Sequence, residues 1–286
     1  MKADGASVSH PSEPLLCVES LRFGPAGRAL AEPVSFTLER GRCLVLLGPN
    51  GAGKTSLMRT LIGALSPLGG SISWDGRALA DLTERERASL MAFAAPRPVD
   101  EGAFTVLHLV LLGRMAARGM FAGPSSVDRQ RAHDALTELG LDRLCERTLA
   151  QLSEGERQLA QSGRALAQDA LALVLDEPAA SLDLARQAAL LTTVRRLTEG
   201  GRAVVLSTHD PNHALAVADQ VLLWQAPGRI AWGPASQLLE PAVLSAAYGV
   251  EVKRHRAEDG AVMFGIGQRQ PGPLLPSSDK TASIRF

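Results

Sequence analysis

Cys43-Leu-Val-Leu-Leu-Gly-Pro-Asn-Gly-Ala-Gly-Lys-Thr-Ser-Leu-Met-Arg-Thr-Leu61 decides the fold. The apolar run Cys43 to Leu47 has the length of a buried strand. The loop Gly48-Pro49-Asn50-Gly51-Ala52-Gly53 follows, closed by Lys54 and Thr55, and Ser56 onward has helical composition. Glycines at 48, 51 and 53 remove side chains where backbone N–H groups must come close to an anion. The helix from Lys54 aims free N–H groups and a positive dipole end at the same place. Lys54 adds a fixed charge, and the Thr55 hydroxyl is a ligand for Mg2+. Strand, loop and helix are the context in which G-x-x-x-x-G-K-[S/T] binds a nucleotide triphosphate rather than making a bare turn.

Ala172 to Glu177 is the second strong signal: an apolar strand ending in Asp176-Glu177-Pro178. A carboxylate at the C-terminal end of a parallel strand lies beside the phosphate site. Asp176 is placed to hold Mg2+, and Glu177 to act as general base toward water. A third strand, Ala203 to Leu206, runs into Ser207-Thr208-His209-Asp210. His209 at its end can hydrogen-bond a γ-phosphate. Phe23, beside Gly24, reads either as a platform for adenine or as a core residue. Ser153-x-x-Glu156 is a capping box before a helix. Gly155 and Ser153 there can also grip a phosphate presented by another molecule.

Strands alternating with helices through this part of the chain predict a parallel sheet with helices on its faces. Leu15 to Phe23, Val34 to Leu38 and Ser71 to Trp74, joined by short turns, predict a small antiparallel sheet beside it. Val221 to Trp224 and Ile230 to Trp232 read as edge strands, and Glu251 to His255 with Val262 to Ile266 as a hairpin about Asp259-Gly260. Helical patterns dominate between about Val99 and Ala150, which reads as an inserted helical subdomain. Trp74, Trp224 and Trp232 read as packing residues. Residues 1–14 read as a flexible leader, and the Pro- and Ser-rich stretch 268–286 as a disordered tail.

The chain has 286 residues, 45% hydrophobic and 21% charged, with 30 basic and 30 acidic side chains. That balance carries no footprint for nucleic acid. Cys17, Cys43 and Cys145 fit no metal or disulfide spacing, which suits a reducing compartment. No apolar run reaches the roughly 20 residues of a membrane span, so any membrane link is expected to go through a partner.

The order G-P-N-G-A-G-K-T, L-S-E-G-E, L-V-L-D-E-P, Ser181-Leu182-Asp183, S-T-H-D resembles the ATP-binding subunits of ABC transporters, from about Leu15 to Ile266. Thr105 to Arg114 and Ala247 to Val250 look like the importers of iron–siderophore, haem or cobalamin. The resemblance implies ATP and Mg2+, and a second ATP-binding subunit, a homodimer, closing head to tail. ATP at Lys54 of one copy would meet Ser153, Gly155 and Glu156 of the other. Closure would drive a membrane permease docked on the helical insert, with a substrate-binding protein as indirect partner and the subunit on the cytoplasmic face. Other readings are a low-turnover nucleotide-gated subunit and a soluble ABC ATPase unconnected with transport. The chain departs from the family at Glu154 and Glu156, where glycine and glutamine are usual. It departs also at Arg97, where the family has the glutamine that touches Mg2+ and water. A guanidinium has donors only and cannot ligate a metal that way.

Overall fold

The computed structural model describes residues 14–95, 104–118 and 123–267. Arg97 between its two prolines, the leader through residue 13 and the tail from 268 lie outside the described residues.

The strand β3 (Cys43–Leu47) is buried along its whole length. It lies parallel to β8 (Ala203–Thr208) on one side and to β9 (Gln220–Ala226) on the other. Beyond β8 come β7 (Ala172–Leu175) and β6 (Met91–Ala94), also parallel. Beyond β9 lies β10 (Arg229–Pro234), antiparallel. Of the two strands expected at the edge, only β10 is there. β9 is interior, and its unbroken run Val221-Leu222-Leu223-Trp224 is the pattern of a strand covered on both faces.

Alternation along β3 divides the core. Leu44 and Leu46 join Leu16, Phe36, Trp74 and Val205 under the small sheet. That sheet is antiparallel, in the order β2 (Val34–Leu38), β1 (Leu16–Arg22), β4 (Gly69–Trp74), β5 (Arg77–Ala78). The helix α1 (Lys54–Leu61) packs Leu57, Met58 and Leu61 into the same cluster, and Trp74 donates its indole N–H to the Leu61 carbonyl at 2.9 Å. Cys43, Val45 and Leu47 face the opposite cluster, with Val110, Leu136, Leu159 and Val194.

That second face is helical. After α2 (Glu84–Leu90) come α3 (Val106–Arg118), α4 (Ser126–Glu138) and α5 (Glu154–Ala167), with α6 (Leu184–Glu199) following β7. Gly113 is where α3 meets α5: a Cβ there would stand 2.0 Å from the Arg164 carbonyl oxygen. Its neighbour Arg114 pairs with Asp128 on α4 at 3.2 Å and donates to the Ala167 carbonyl at 2.8 Å. One partly buried guanidinium thus ties three helices and satisfies a carbonyl at the end of α5. Gly113-Arg114, which ends the stretch Thr105 to Arg114, has this packing role.

The chain closes with α7 (Pro211–Val217), α8 (Ala235–Leu238), α9 (Pro241–Tyr248) and the hairpin β11 (Val252–Arg256) with β12 (Val262–Ile266). The Asn212 amide on α7 accepts from the Phe264 N–H at 2.7 Å and donates to its carbonyl at 3.1 Å, as a neighbouring strand would. Among the described residues, no helix is long and apolar enough to cross a membrane.

Candidate active site

The loop after β3 opens outward, with Pro49, Asn50 and Gly51 exposed and Ala52 half-buried. Gly53 has φ +106°, in the left-handed region where a side chain is strained, and it starts α1. At Gly48 the constraint is space: a Cβ would stand 2.8 Å from the Trp224 Cβ. A groove of about 300 Å³ runs beside the loop, lined by Leu30, Pro49, Gly51, Trp224, Pro227 and Ala247.

Lys54 is 5% exposed. Its ammonium donates to the Gly48 carbonyl at 2.8 Å and the Pro49 carbonyl at 3.1 Å, so the loop bends back over it. The same Nζ lies 3.0 Å from Glu177 Oε1. This is an ion pair at an angle outside that of a hydrogen bond, and Oε1 accepts none. Glu177 Oε2 meets His209 Nδ1 at 3.0 Å.

Thr55 Oγ1 donates to Asp176 Oδ2 at 2.8 Å. Asp176 is buried, and its other oxygen accepts from Ser207 Oγ at 2.7 Å. Ser207 in turn accepts from the Glu177 N–H at 2.8 Å. The Glu177 carbonyl takes the Gln158 amide of α5. Glu177 has φ +46°, a left-handed conformation costly for a glutamate. These contacts on both sides of its peptide hold it there. So β3, β7 and β8, side by side, deliver Lys54, Asp176, Glu177 and His209 to one end of the sheet.

A hydroxyl and a carboxylate side by side are hard oxygen donors and suit Mg2+. No group of three or more acidic, His or Cys side chains that could hold a metal occurs among the described residues. The rest of such an ion's shell would be phosphate oxygen and water, as is usual for Mg2+.

Phe23 is a correction. It is 0% exposed and belongs to the core under the small sheet, so its ring offers no face to a base. Leu30, whose N–H is bonded to the Phe23 carbonyl at 3.0 Å, and Trp224 are apolar side chains that border the phosphate loop and line the groove.

Ser153, Gly155 and Glu156 lie at the start of α5. The capping box forms in both directions: Ser153 Oγ accepts from the Glu156 N–H, and Glu156 Oε2 accepts from the Ser153 N–H at 2.8 Å. The Ser153 hydroxyl also donates to Glu156 Oε2 at 2.9 Å. The Ser153 N–H, then its hydroxyl and the Arg186 guanidinium, hold the Glu156 carboxyl below its ordinary range against the opposing effect of burial. Gly155 is buried: a Cβ would stand 2.6 Å from the Ser181 carbonyl oxygen. The absence of a side chain there serves packing within the chain. Among the described hydrogen bonds and ion pairs, none joins Ser153, Gly155 or Glu156 to Lys54 or its loop.

Three contributors escaped sequence reasoning. Ser207 was legible only as one of two hydroxyls ending an apolar strand. Gln158 also accepts the Ser181 N–H at 3.3 Å, fixing the stretch after Glu177. Tyr248, on α9, donates its hydroxyl to the His209 carbonyl at 2.9 Å. Burial, then the Asp210 and Glu177 carboxylates, push its phenol up, so it stays a donor.

A family profile described as ABC transporter matches residues 31–180. A hemin import ATP-binding protein, HmuV, of Gloeobacter violaceus is 37% identical over 87% of this chain and 94% of that protein. The iron(3+)-hydroxamate import ATP-binding protein FhuC of Bacillus subtilis is 30% identical over 83% of this chain and 89% of that protein. A solved ABC transporter described as metal-chelate type, in an inward-facing conformation, superposes with TM-score 0.78 at 29% identity, covering 90% of this chain and 99% of that one. The phosphate loop after β3, the Asp176-Glu177 pair after β7 and the histidine after β8 stand in a chain so matched along its length. This protein belongs to the ATP-binding subunits of ABC transporters, which are ATPases.

Proposed function

We propose that this subunit hydrolyses ATP to power import of an iron–siderophore, haem or cobalamin-type chelate, working as a head-to-tail pair of identical chains. The relatives' names, hemin import and iron(3+)-hydroxamate import, support haem or an iron–siderophore among these cargoes. One observation carries the chemistry: Glu177 is held by its backbone with one oxygen 3.0 Å from Lys54 Nζ and the other 3.0 Å from His209 Nδ1. In this reading the loop N–H groups and Lys54 bind the β- and γ-phosphates. Thr55 and Asp176 would hold Mg2+, which when bound neutralises charge on the phosphates. Water attacks the γ-phosphorus, its proton passes to Glu177, and the bond to the β–γ bridging oxygen breaks with its electron pair leaving on ADP. His209, donating toward the γ-phosphate, and Glu177 together orient that water. Ser153 and Gly155 of the second copy contact the same γ-phosphate, because within one chain they stand apart from the loop. The helical insert that contains α3 and α4 is the dock for a permease at the cytoplasmic face of the membrane, and a substrate-binding protein presents cargo on the far side.

The test is Glu177→Gln. Loss of a positioned base lowers turnover by about 10²- to 10⁴-fold. ATP binding should persist, and saturating MgATP should drive the variant to a dimer by light scattering. Lys54→Ala should lose ATP binding itself by calorimetry. A Glu177→Gln protein that hydrolyses like wild type, or stays monomeric in MgATP, would sink the reading.

A further inference from the structure

A helix N-terminus that must accept a phosphate is here flanked by acids, Glu154 and Glu156. Ionised carboxylates suit the dipole of α5 but repel an incoming phosphate. Glu156 stays ionised, held below its ordinary range by the bonds described above. The structure supplies its counter-charge from another element. Arg186 Nη2 lies 2.9 Å from Glu156 Oε1. Arg186 is fixed in the first turn of α6, its N–H bonded to Asp183 Oδ1 at 2.9 Å. Its Nε is 3.8 Å from Asp183 Oδ2, so the guanidinium stands between two carboxylates. Glu154 has its own partner, Arg157, at 3.1 Å. The Glu156 side chain is 16% exposed and that of Arg186 39%, so the pair is partly shielded from water while the guanidinium keeps an open side.

We propose that Arg186 is a positioning residue for the nucleotide sandwich. By neutralising Glu156 beside Ser153, it lets an acidic signature receive the γ-phosphate of ATP held by a second copy. The proposal rests on the head-to-tail pairing proposed above and names what makes that pairing possible in this chain. Glutamine at 156 would need no such partner. Arg186 touches neither the loop nor Lys54, so its removal should leave ATP binding to the single subunit unchanged. It should instead leave the Glu156 carboxylate without its counter-charge beside the incoming phosphate, while Asp183 still accepts the backbone N–H at position 186.

The experiment uses the full chain in the Glu177→Gln background and follows ATP-dependent dimerisation by light scattering, with ATP affinity by calorimetry. Truncating one member of a hydrogen-bonded charge pair and stranding the other weakens association. For this partly exposed pair, R186M is expected to raise the ATP or protein concentration needed for dimerisation at least about 10-fold. Adding Glu156→Gln to R186M should restore dimerisation, since the stranded charge is gone. Arg186→Lys, which keeps the charge and spares the fold, should dimerise close to the parent, and high salt should narrow the gap between parent and R186M. R186M dimerising like the parent, or a double variant as weak as R186M alone, overturns the proposal. A parent that stays monomeric overturns the pairing itself, and this proposal with it.

Discussion

Ser207→Ala isolates the part of the site that sequence did not show. Ser207 is wholly buried, and its hydroxyl makes two bonds, giving to Asp176 at 2.7 Å and taking from the Glu177 N–H at 2.8 Å. Deleting it removes a charge-assisted bond, worth about 1.5–3 kcal/mol, and strands a peptide N–H at about 1–3 kcal/mol. Asp176 keeps its bond from Thr55, so the two losses do not add in full. A net destabilisation of about 2–4 kcal/mol should lower Tm by roughly 4–16 °C in a domain of this size. The second effect is on catalysis. Glu177, in its left-handed conformation, loses one of the bonds that hold it there and can relax. A displacement near 1 Å at a catalytic group costs about 10²-fold, so turnover should fall by between 10- and 100-fold. Affinity for a non-hydrolysable ATP analogue should stay within about 3-fold, because Ser207 is hydrogen-bonded to neither Lys54 nor the loop. Thermal melts, phosphate release and calorimetry read the three quantities. Ser207→Thr keeps the hydroxyl and should recover most of the loss. If Ser207→Ala melts within about 1 °C of wild type and turns over normally, the bridge from the Asp176 carboxylate to the Glu177 peptide N–H is not what fixes Glu177.

Tyr248→Phe keeps the ring and removes the hydroxyl that holds the His209 carbonyl. Turnover should fall about 3- to 10-fold, the worth of one hydrogen bond, with KM for ATP little changed; equal kcat in both proteins would show that α9 does not steady His209. Alkylation with iodoacetamide should label the half-buried Cys17 and Cys145 in the folded protein and spare Cys43. Cys43 is wholly buried, and burial first, then the Asp219 carboxylate, push its thiol up, so the reactive thiolate is suppressed. Peptide mass spectrometry showing early label on Cys43 would mean that β3 is not seated as described.

What the sequence made legible was local. A strand, three glycines and Lys54-Thr55 specify their own geometry over a dozen residues, so the loop could be read outright. Asp176 and Glu177 were legible because a strand end fixes where a carboxylate goes. What stayed hidden depends on partners far along the chain. Phe23 reads alike as platform or core until the small sheet is assembled over it. Four apolar residues at 221–224 do not reveal whether β3 or solvent lies beside them. Proline at its first position and Gly249, at φ +68°, bracket α9 with ordinary start and stop signals. Ser207 and Arg186 gain meaning only once residues some 30 positions away arrive beside them.

The order of strands in the main sheet has a consequence for how the chain is made. Both neighbours of β3 come late: β8 starts at Ala203 and β9 at Gln220. The small sheet is complete by Ala78 and can shelter Leu44 and Leu46 early. The other face, with Cys43, Val45 and Leu47, waits for chain that the ribosome has not yet delivered. At about 5–20 residues per second, the stretch from Leu47 to Ala203 takes roughly 8–30 s to synthesise. Through that interval β3 has unpaired backbone and an uncovered apolar edge, the condition under which nascent parallel sheets find wrong partners. Codon choice and chaperone access between residues 47 and 203 should therefore affect yield.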